Sequence, residues 1–246
     1  MKKYYFLTCL PRTGSTLLGS LINEFKNTKI TSNTVLTDIL YQLELIKNNE
    51  IYKNFPDEKS FDNVIKNVFN NYYEHWSVDN IIARGPWGTP VNLILLKKII
   101  KKPKFIILYR PVLECISSFI KIEKPINVEE RCHQLMDSNG AIGKNLWSIE
   151  NILKNKEDYI VIYYKDFITN TNKEIKKIFN YLKIPFEKLN LNNIKQFSIN
   201  GITYNDNIYE VPLHTIRTDK IKLSKYKIKD YLPDNIIKQY SKLDVL

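Results

Sequence analysis

Long apolar runs are missing from this sequence. None of them approaches the roughly 20 consecutive residues that a membrane-spanning helix needs. The chain does start with a basic and then apolar segment, Lys2 to Leu10, but Pro11 and Arg12 interrupt it. We therefore expect a first strand there and not a signal peptide, and we expect no membrane as a partner.

Cysteine is also scarce. The three that are present, Cys9, Cys115 and Cys132, are an odd number without the spacing of metal ligands, and each lies in or beside an apolar run. A disulfide framework is therefore not expected. Buried free thiols in a reducing compartment are the predicted state, so the sequence favours a cytoplasmic protein.

What the sequence has in excess is positive charge, since 37 basic against 26 acidic residues give a formal net charge of +11. A surplus of this sign favours phosphates, sulfates or polyanions as partners. A solvated, lysine-rich surface accounts for the same surplus. The charge therefore permits an anionic ligand without identifying one.

The composition, 43% hydrophobic and 12% aromatic, suits one substantial core, so we expect a single domain over residues 1–246. Apolar runs of strand length alternate with longer segments of helical period. This alternation predicts an α/β fold of three layers, with a mostly parallel central sheet and helices on both faces. The predicted strands are residues 4–9, 81–83, 105–109 and 159–164, each read as a buried strand.

Helical periodicity is clearest over residues 60–76. A second, long helical stretch is predicted between the strands 105–109 and 159–164, with one interruption around Asn139–Gly140. Thr171 and Glu174 have the spacing of a capping box, which predicts that a further helix starts there.

The loop between the first strand and the helix after it reads CLPRTGSTLLGSL, residues 9–21. A turn at Gly14 would bring backbone amides and the positive end of a helix dipole towards an anion. The Gly-Lys pair of a nucleotide-hydrolysing G-x-x-x-x-G-K-S/T loop is absent, and Arg12 is the only strong cation. On this pattern alone, an ordinary strand-to-helix turn explains the sequence as well as an anion site does.

Two further strands end in arginine. The strand 105–109 runs into Arg110, the helix that begins there carries Ser118, and Arg84 ends the strand 81–83. Carboxyl ends of parallel strands meet at one edge of a sheet, so these arginines should converge near the first loop. Because arginine suits bidentate contact with phosphate, and no carboxylate for magnesium is evident at this strand end, the pattern indicates anion capture without a metal.

Taken together, PRTGSTLL, YRPVLECISSF, and YYKDFITN with the later YLKIPF resemble the sulfotransferases that use 3'-phosphoadenosine-5'-phosphosulfate (PAPS). The resemblance is closest to the tyrosylprotein-type and bacterial or phage-type branch and covers residues 4–34, 81–122 and 159–187. It implies a P-loop-like fold. It also implies an enzyme that moves a sulfonate group from PAPS to a hydroxyl or amine acceptor, releases the desulfonated nucleotide PAP, and uses no metal.

The resemblance implies roles for individual residues as well. Arg12 would contact the transferring sulfonate and the leaving phosphate, and Arg110 with Ser118 would bind the 3'-phosphate. Arg84 takes the place of a lysine that faces the sulfonate in the tyrosylprotein branch, although a surface residue at a strand end is the alternative. The 5'-phosphate would be held by the loop residues Thr13, Gly14, Ser15 and Thr16.

The residue that accepts the proton of the acceptor is not identified by the resemblance. Where the tyrosylprotein branch has a glutamate, this chain has Asn33, whose amide is not a general base, so a tyrosine acceptor is also in doubt. We prefer His214, in the loop segment VPLHTIR, as a catalytic residue on the substrate side. Asp38 and His75 are the alternatives behind it, and His133 is predicted to lie on a helix.

Basic residues are concentrated between Arg217 and Lys229. A solvated charged face is one interpretation of this run. The resemblance implies another, in which residues 203–246 cover the donor and a basic residue of the run contacts the 3'-phosphate. Arg217 is the first candidate, and Lys220 and Lys222 remain beside it.

The acceptor stays open between a small molecule, a glycan and a peptide. Trp87, Tyr41 and Tyr204 could line its cleft or pack in the core. A P-loop kinase or nucleotide hydrolase is an alternative function, but it would need a Walker lysine and a magnesium carboxylate. A non-enzymatic module that binds anions or nucleic acid is supported by charge alone, so nucleic acid is not expected as a partner. The sequence does not predict an oligomeric state.

Overall fold

The structure is a computed structural model and describes residues 2–216, 221–223 and 227–246. Its central feature is a five-stranded parallel sheet with the strand order β2-β3-β1-β4-β5. The strands are β1 (Lys3–Cys9), β2 (Thr28–Asn33), β3 (Asn80–Arg84), β4 (Lys104–Tyr109) and β5 (Asp158–Tyr163). A separate antiparallel hairpin pairs β6 (Ser198–Ile199) with β7 (Ile202–Thr203).

Helices connect the strands and cover the sheet. Within the described residues they are α1 (Ser15–Ile22), α2 (Leu36–Leu45), α3 (Glu50–Asn54), α4 (Glu58–Tyr72), α5 (Pro90–Ile99), α6 (Val112–Glu123), α7 (Val128–Met136), α8 (Gly143–Lys154), α9 (Tyr164–Thr169), α10 (Thr171–Leu182) and α11 (Asp234–Tyr240). Short 3-10 helices occupy Ile46–Asn48, Asp206–Tyr209 and Ile228–Asp230. In the described part of the chain, no helix is long and apolar enough to cross a bilayer.

The core lies on both faces of the sheet because successive side chains of a strand point to opposite faces. On β1, Phe6 packs in one cluster with Phe69 and Trp87, while Leu7 packs in the opposite cluster with Phe179. All five side chains are fully buried, and each such residue stabilises the fold by about 1.5–3 kcal/mol. The two clusters confirm the three-layer α/β fold that the sequence predicts.

Three details of the predicted secondary structure are corrected. The long helical stretch has two interruptions, because Lys124 closes α6 in a left-handed conformation (φ 47°) well before the break between α7 and α8. The capping box is wrong, since Thr171 is already helical and its hydroxyl donates to the Phe167 carbonyl oxygen at 2.8 Å. The strand β5 is an edge strand, and only Ile162 of its residues is buried.

The sheet order brings the predicted anion-binding segments together. Strands β3, β1 and β4 are adjacent and parallel, so Arg84, the loop after Cys9, and Arg110 emerge at one edge. A register shift in β2 between Ile30 and Asn33 places Asn33 opposite Arg84. Strand β2 was not predicted from the sequence, yet it forms the side of the site next to Arg84.

The prediction that the cysteines are buried free thiols is confirmed. Cys9, Cys115 and Cys132 are all buried free thiols. Burial raises the pKa of the Cys115 thiol to about 12 and that of Cys132 to about 11. Both side chains therefore act as small apolar groups of the core and not as reactive thiolates.

Candidate active site

A cavity of about 240 Å³ opens at the carboxyl edge of β3, β1 and β4. We call it the arginine cavity because its described lining includes Arg12, Arg84 and Arg110, with Lys222 as a fourth cation. No Asp or Glu is among its described lining residues. The cavity therefore has the charge that a phosphate or sulfate ligand requires.

The loop at the base of the arginine cavity has an unusual backbone. Arg12 and Gly14 both have positive φ, 66° and 79°, and the left-handed region costs a non-glycine residue such as Arg12 about 1–2 kcal/mol. Helix α1 starts directly after Gly14 and has no side-chain cap on its first amides. These amides and the helix dipole are thus available to an anion, with Ser15 and Thr16 beside them in the cavity wall.

Arg110 is held in place from several sides. Its side chain is buried, with its guanidinium 4.3 Å from the centre of the Tyr164 ring. It donates to the Arg12 carbonyl oxygen at 2.8 Å and to the Glu114 carboxylate at 2.9 Å. These contacts fix the orientation of the guanidinium before any ligand binds, which reduces the entropy that binding would cost.

Arg12 links the loop to the segment beyond the hairpin. Its guanidinium donates to the Leu213 carbonyl oxygen, and its Nε lies 3.4 Å from the Ser118 hydroxyl. Ser118 itself lines the cavity from α6. The loop, α6 and residue 213 are therefore connected through one arginine.

Arg84 is not a surface residue at a strand end. Its side chain is buried, and its guanidinium donates to the Tyr204 hydroxyl at 3.2 Å. Its Nε is buried without a hydrogen-bond partner among the described residues. Because an unpaired buried donor costs about 1–3 kcal/mol, its presence on a cavity-lining cation supports a ligand-binding role.

His214 lies in the cavity wall and forms a pair with Asp206. Its Nδ1 is 2.5 Å from one carboxylate oxygen of Asp206, and its backbone amide donates to the other at 2.7 Å. Burial favours the protonated acid of Asp206, but these hydrogen bonds outweigh it and lower the Asp206 pKa. The ionised carboxylate only accepts, so Nδ1 carries the proton and Nε2 is left to accept one.

The environment of His214 also keeps it neutral. Burial lowers the pKa of His214, and the charges of Arg84 and Arg12 lower it further, while Asp206 acts in the opposite direction. Among the described residues, no hydrogen bond engages its Nε2. A neutral imidazole with a fixed tautomer is suited to accept a proton near neutral pH.

A second cavity of about 370 Å³ lies beside the first, between the end of β2, the residues that follow α4, and the β6–β7 hairpin. We call it the aromatic cavity, since Tyr72, Tyr73, Trp76, Phe197 and Tyr204 line it. The Tyr204 ring stacks on the His214 ring, with centroids 3.8 Å apart and planes 3° from parallel. This stacked pair forms a wall between the two cavities, because Tyr204 lines one and His214 the other.

Most of the predicted site residues meet in the arginine cavity. They are Arg12, Gly14, Ser15, Thr16, Arg84, Arg110, Ser118 and His214. Thr13 differs, because its buried hydroxyl donates to the Leu10 carbonyl oxygen at 2.7 Å, which leaves only its backbone for a ligand. Arg217 and Lys220 lie outside the described residues.

The remaining candidates have other surroundings. Asp38 is exposed and pairs with Lys144, and His133 contacts the Tyr240 hydroxyl at 2.6 Å, so neither lines a described cavity. His75 and Asn33 both line the aromatic cavity. Of the three aromatic residues considered for an acceptor cleft, only Tyr204 lines the aromatic cavity. Trp87 is fully buried in the core. Tyr41 lies on α2 and lines neither described cavity.

Some residues of the site were not found from the sequence. Asp206 precedes His214 by eight positions in an irregular segment, and no periodicity connects the two. Tyr164 is part of YYKDFITN, but nothing in that stretch indicates that its ring lies against Arg110. Glu114 was detectable, because it follows Arg110 by four positions on a predicted helix.

Comparisons with known proteins agree with this architecture. A model of the sulfotransferase family matches residues 5–188. The sulfotransferase domain from the curacin biosynthetic pathway superimposes with a TM-score of 0.56 at 16% identity, covering 98% of this chain and 97% of that domain. Mouse sulfotransferase SULT7A1, solved in complex with PAP, superimposes with a TM-score of 0.54 at 14% identity, covering 98% of this chain and 82% of that one.

A sulfotransferase from Alicyclobacillus acidocaldarius is similar too, with a TM-score of 0.52 at 10% identity over 77% of this chain and 85% of its own. No curated protein sequence matches this chain significantly. At such low identities the solved structures establish a shared fold. The family model spans well over half of the chain, and on that basis the protein belongs to the sulfotransferase family.

Proposed function

We propose that the protein transfers a sulfonate group from PAPS to a hydroxyl or amine acceptor and releases PAP. The observation that carries the proposal is the arginine cavity, where four cations and the uncapped start of α1 surround a space whose described lining contains no carboxylate. A fold neighbour was solved with PAP, which supports the same nucleotide here.

The residues that line the arginine cavity form two groups, one suited to each phosphate of the donor. The start of α1, with Gly14, Ser15 and Thr16, suits the 5'-phosphate, where the helix dipole adds to the amide donors. Arg110 and Ser118 suit the 3'-phosphate. Because Arg12 joins these two groups through its contacts with Ser118 and Arg110, it can stabilise the charge that develops on the leaving phosphate.

The transfer can be written as one displacement at sulfur. The acceptor oxygen or nitrogen attacks the sulfur of PAPS and forms a new bond to it, while the bond from sulfur to the 5'-phosphate oxygen breaks. The bonding electrons remain on that oxygen, and PAP leaves. His214 Nε2 takes the proton of the acceptor, and Asp206 stabilises the imidazolium that results.

The assignment of His214 as the base explains how the protein can work with Asn33 in the place of a glutamate. Asn33 lies opposite Arg84 on the neighbouring strand, but its amide cannot take the proton. His214 enters the same region from the other end of the chain. We therefore propose that the general base of this protein is supplied by the segment after the hairpin and not by the residues after α1.

We also propose that part of the segment 203–246 covers the donor. Gln196 holds it in place, because its side chain accepts from the Ile216 amide at 2.9 Å and donates to the Ile216 carbonyl oxygen at 2.7 Å. Arg12 binds Leu213 in the same segment. Lys222 lines the cavity beyond it and is a candidate contact for the 3'-phosphate. We propose that the enzyme is metal-independent, because arginines supply the positive charge near the leaving group. We also propose that it is cytoplasmic, since its three cysteines are buried free thiols.

Calorimetry with PAP tests the donor site directly. We expect saturable binding that weakens by roughly 10- to 100-fold in Arg110→Ala and in Arg12→Ala, the loss of charge-assisted hydrogen bonds worth about 1.5–3 kcal/mol. Transfer of labelled sulfonate from PAPS to a panel of hydroxyl and amine acceptors then tests the activity.

Arg131→Ala is the matched control, because Arg131 is bound by two hydrogen bonds to Glu123 outside both cavities. Its PAP affinity should equal that of the unmodified protein. Unchanged affinity in both cavity variants would show that the arginine cavity is not the donor site. Binding of PAP without transfer to any acceptor class would leave only a binding role.

A further inference from the structure

The aromatic cavity has no charged wall. Its described lining contains no Asp, Glu, Lys or Arg, although these residues make up 26% of the chain. The lining is instead dominated by rings and branched aliphatic chains, among them Trp76, Phe197 and Ile202. A cavity of this kind favours a largely apolar ligand and offers an anionic one no lysine or arginine.

The polar groups of the aromatic cavity are hydroxyls, the amides of Asn33 and Asn200, and the imidazole of His75. Tyr73 is fully buried, and its hydroxyl makes no hydrogen bond among the described residues. Burial raises the pKa of Tyr73, so its phenol is a neutral donor. Asn33 lines the cavity on the strand position paired with Arg84. A ligand with one or two hydroxyl groups would find partners at both places.

The position of the aromatic cavity connects it to the transfer site. Tyr204 lines it, accepts a hydrogen bond from Arg84 through its hydroxyl, and stacks on the proposed base His214. Burial raises the pKa of Tyr204, although Arg84 opposes this, so the phenol stays neutral. A ligand in the aromatic cavity that extends past Tyr204 therefore meets the arginine cavity at its transferring end.

We propose that the aromatic cavity binds the acceptor and that the acceptor is a small, uncharged phenol or cyclic alcohol. The inference rests on the proposed function, since only a sulfonate acceptor needs to reach Arg84 and His214. A volume of about 370 Å³ lies near the lower end of the range for small-molecule sites, about 300–1,000 Å³. A sulfated glycan or an acidic peptide would bring carboxylate or sulfate groups to a wall whose described residues include no lysine or arginine.

The test compares two acceptors of the same ring size, 2-naphthol and 6-hydroxy-2-naphthoate, which differ by one carboxylate. Binding of each to the PAP-loaded protein is measured by calorimetry, and transfer is measured with PAPS. We expect 2-naphthol to bind and to accept sulfonate, with kcat/KM at least about 30-fold above that of the naphthoate.

The variant Ile202→Lys places a cation in the cavity wall from an exposed position, so it does not disturb the core. It should weaken 2-naphthol at least about tenfold, improve the naphthoate, and leave PAP affinity unchanged. Ile208→Lys is its control, because Ile208 is 69% exposed against 73% for Ile202 and lines neither described cavity.

The possible failures are distinguishable. If PAP binds but 2-naphthol neither binds nor reacts, or if the naphthoate is equal or better, the inference about the acceptor is overturned while the donor site stands. An Ile202→Lys variant that behaves like Ile208→Lys overturns the location of the acceptor. If PAP does not bind the unmodified protein, the proposed function fails, and the acceptor site fails with it.

Discussion

The two cavities differ in charge although they share a wall. The arginine cavity has four cations and fixed guanidinium groups, whereas the described lining of the aromatic cavity has no Asp, Glu, Lys or Arg. Both cavities combine residues from the part matched by the family model, residues 5–188, with residues from the segment after it. The matched part supplies the three arginines to one cavity and Tyr73 and Trp76 to the other, and the later segment supplies His214 and Tyr204.

This difference separates two tasks. Recognition of a multiply charged donor needs fixed cations and helix amides; the start of α1 provides the amides, and arginines at the strand ends provide the cations. In our proposal the acceptor is recognised by the apolar wall that the end of α4 and the β6–β7 hairpin build together. The proposed chemistry then takes place at the shared boundary, where Tyr204 and His214 stack.

Replacement of the proposed base, His214, should reduce the rate more than any other substitution. In His214→Gln we expect kcat to fall by about 10²- to 10⁴-fold, because no neighbouring group takes the acceptor's proton. PAP affinity should stay within about twofold of the unmodified protein, since the arginines that bind phosphate remain. Initial rates and calorimetry measure the two quantities.

His133→Gln is the control for this substitution. His133 also hydrogen-bonds through Nδ1, to the Tyr240 hydroxyl, but lies outside both described cavities. It should keep the original kcat. A comparable loss of rate in both variants, or retained activity in His214→Gln, would remove His214 from the reaction.

Loss of the charge at Arg84 should have the next largest effect. Arg84→Met keeps most of the side-chain volume but removes the cation at the transferring end, and we expect kcat to fall by about 10²- to 10³-fold. Arg84→Lys restores a charge without the planar donor set and should recover part of the rate. If both variants turn over alike, the charge of Arg84 has no role in the transition state.

The arginine cavity could be predicted from the sequence, because each of its parts has a local sequence signal. An apolar run followed by Arg12 and Gly14 indicates a strand, a turn and a helix start, and the strand before Arg110 is equally clear. Parallel strands then require these segments to meet at one edge. The same reasoning placed Arg84 beside them, and the structure shows it buried there.

The aromatic cavity could not be predicted in this way. Its strand β2 is short and polar, TKITSN, and the hairpin strands have two residues each, so neither has a detectable period. The hairpin is positioned by tertiary contacts, such as Phe197 against Gly19 of α1, where a side chain on the glycine would lie 2.6 Å from the ring. The pairing of Asp206 with His214 depends on the same irregular segment.

A smaller effect is expected when the partner of the base is changed. In Asp206→Asn, the maximal kcat should fall about 10- to 100-fold, the loss of one charge-assisted hydrogen bond worth about 1.5–3 kcal/mol. The direction in which the pH–rate profile shifts is the decisive measurement. Burial, Arg84 and Arg12 lower the pKa of His214, so the rate should rise with pH through a value below about 6.5.

Asp206 raises the pKa of His214 against those influences, so its removal should move the acidic limb of the pH–rate profile to lower pH. Among the described residues, the other rings near His214 are those of Tyr204, whose pKa is raised by burial, and Tyr209. A limb that stays in place or moves to higher pH would contradict the proposed contact. Asp244→Asn, at a carboxylate bonded to Tyr109 instead, should leave the profile unchanged.

The smallest effect is expected from the Tyr204 hydroxyl. Tyr204→Phe keeps the ring stacked on His214 and removes only the contact with Arg84, so kcat/KM should fall about 2- to 10-fold, as expected for a hydrogen bond worth about 0.5–1.5 kcal/mol. Tyr204→Leu removes the stacked ring as well and should lower kcat/KM further with PAP affinity intact. Equal losses in the two variants would mean that Tyr204 acts through Arg84 alone. A larger loss in Tyr204→Leu would mean that the ring itself holds the imidazole between the two cavities.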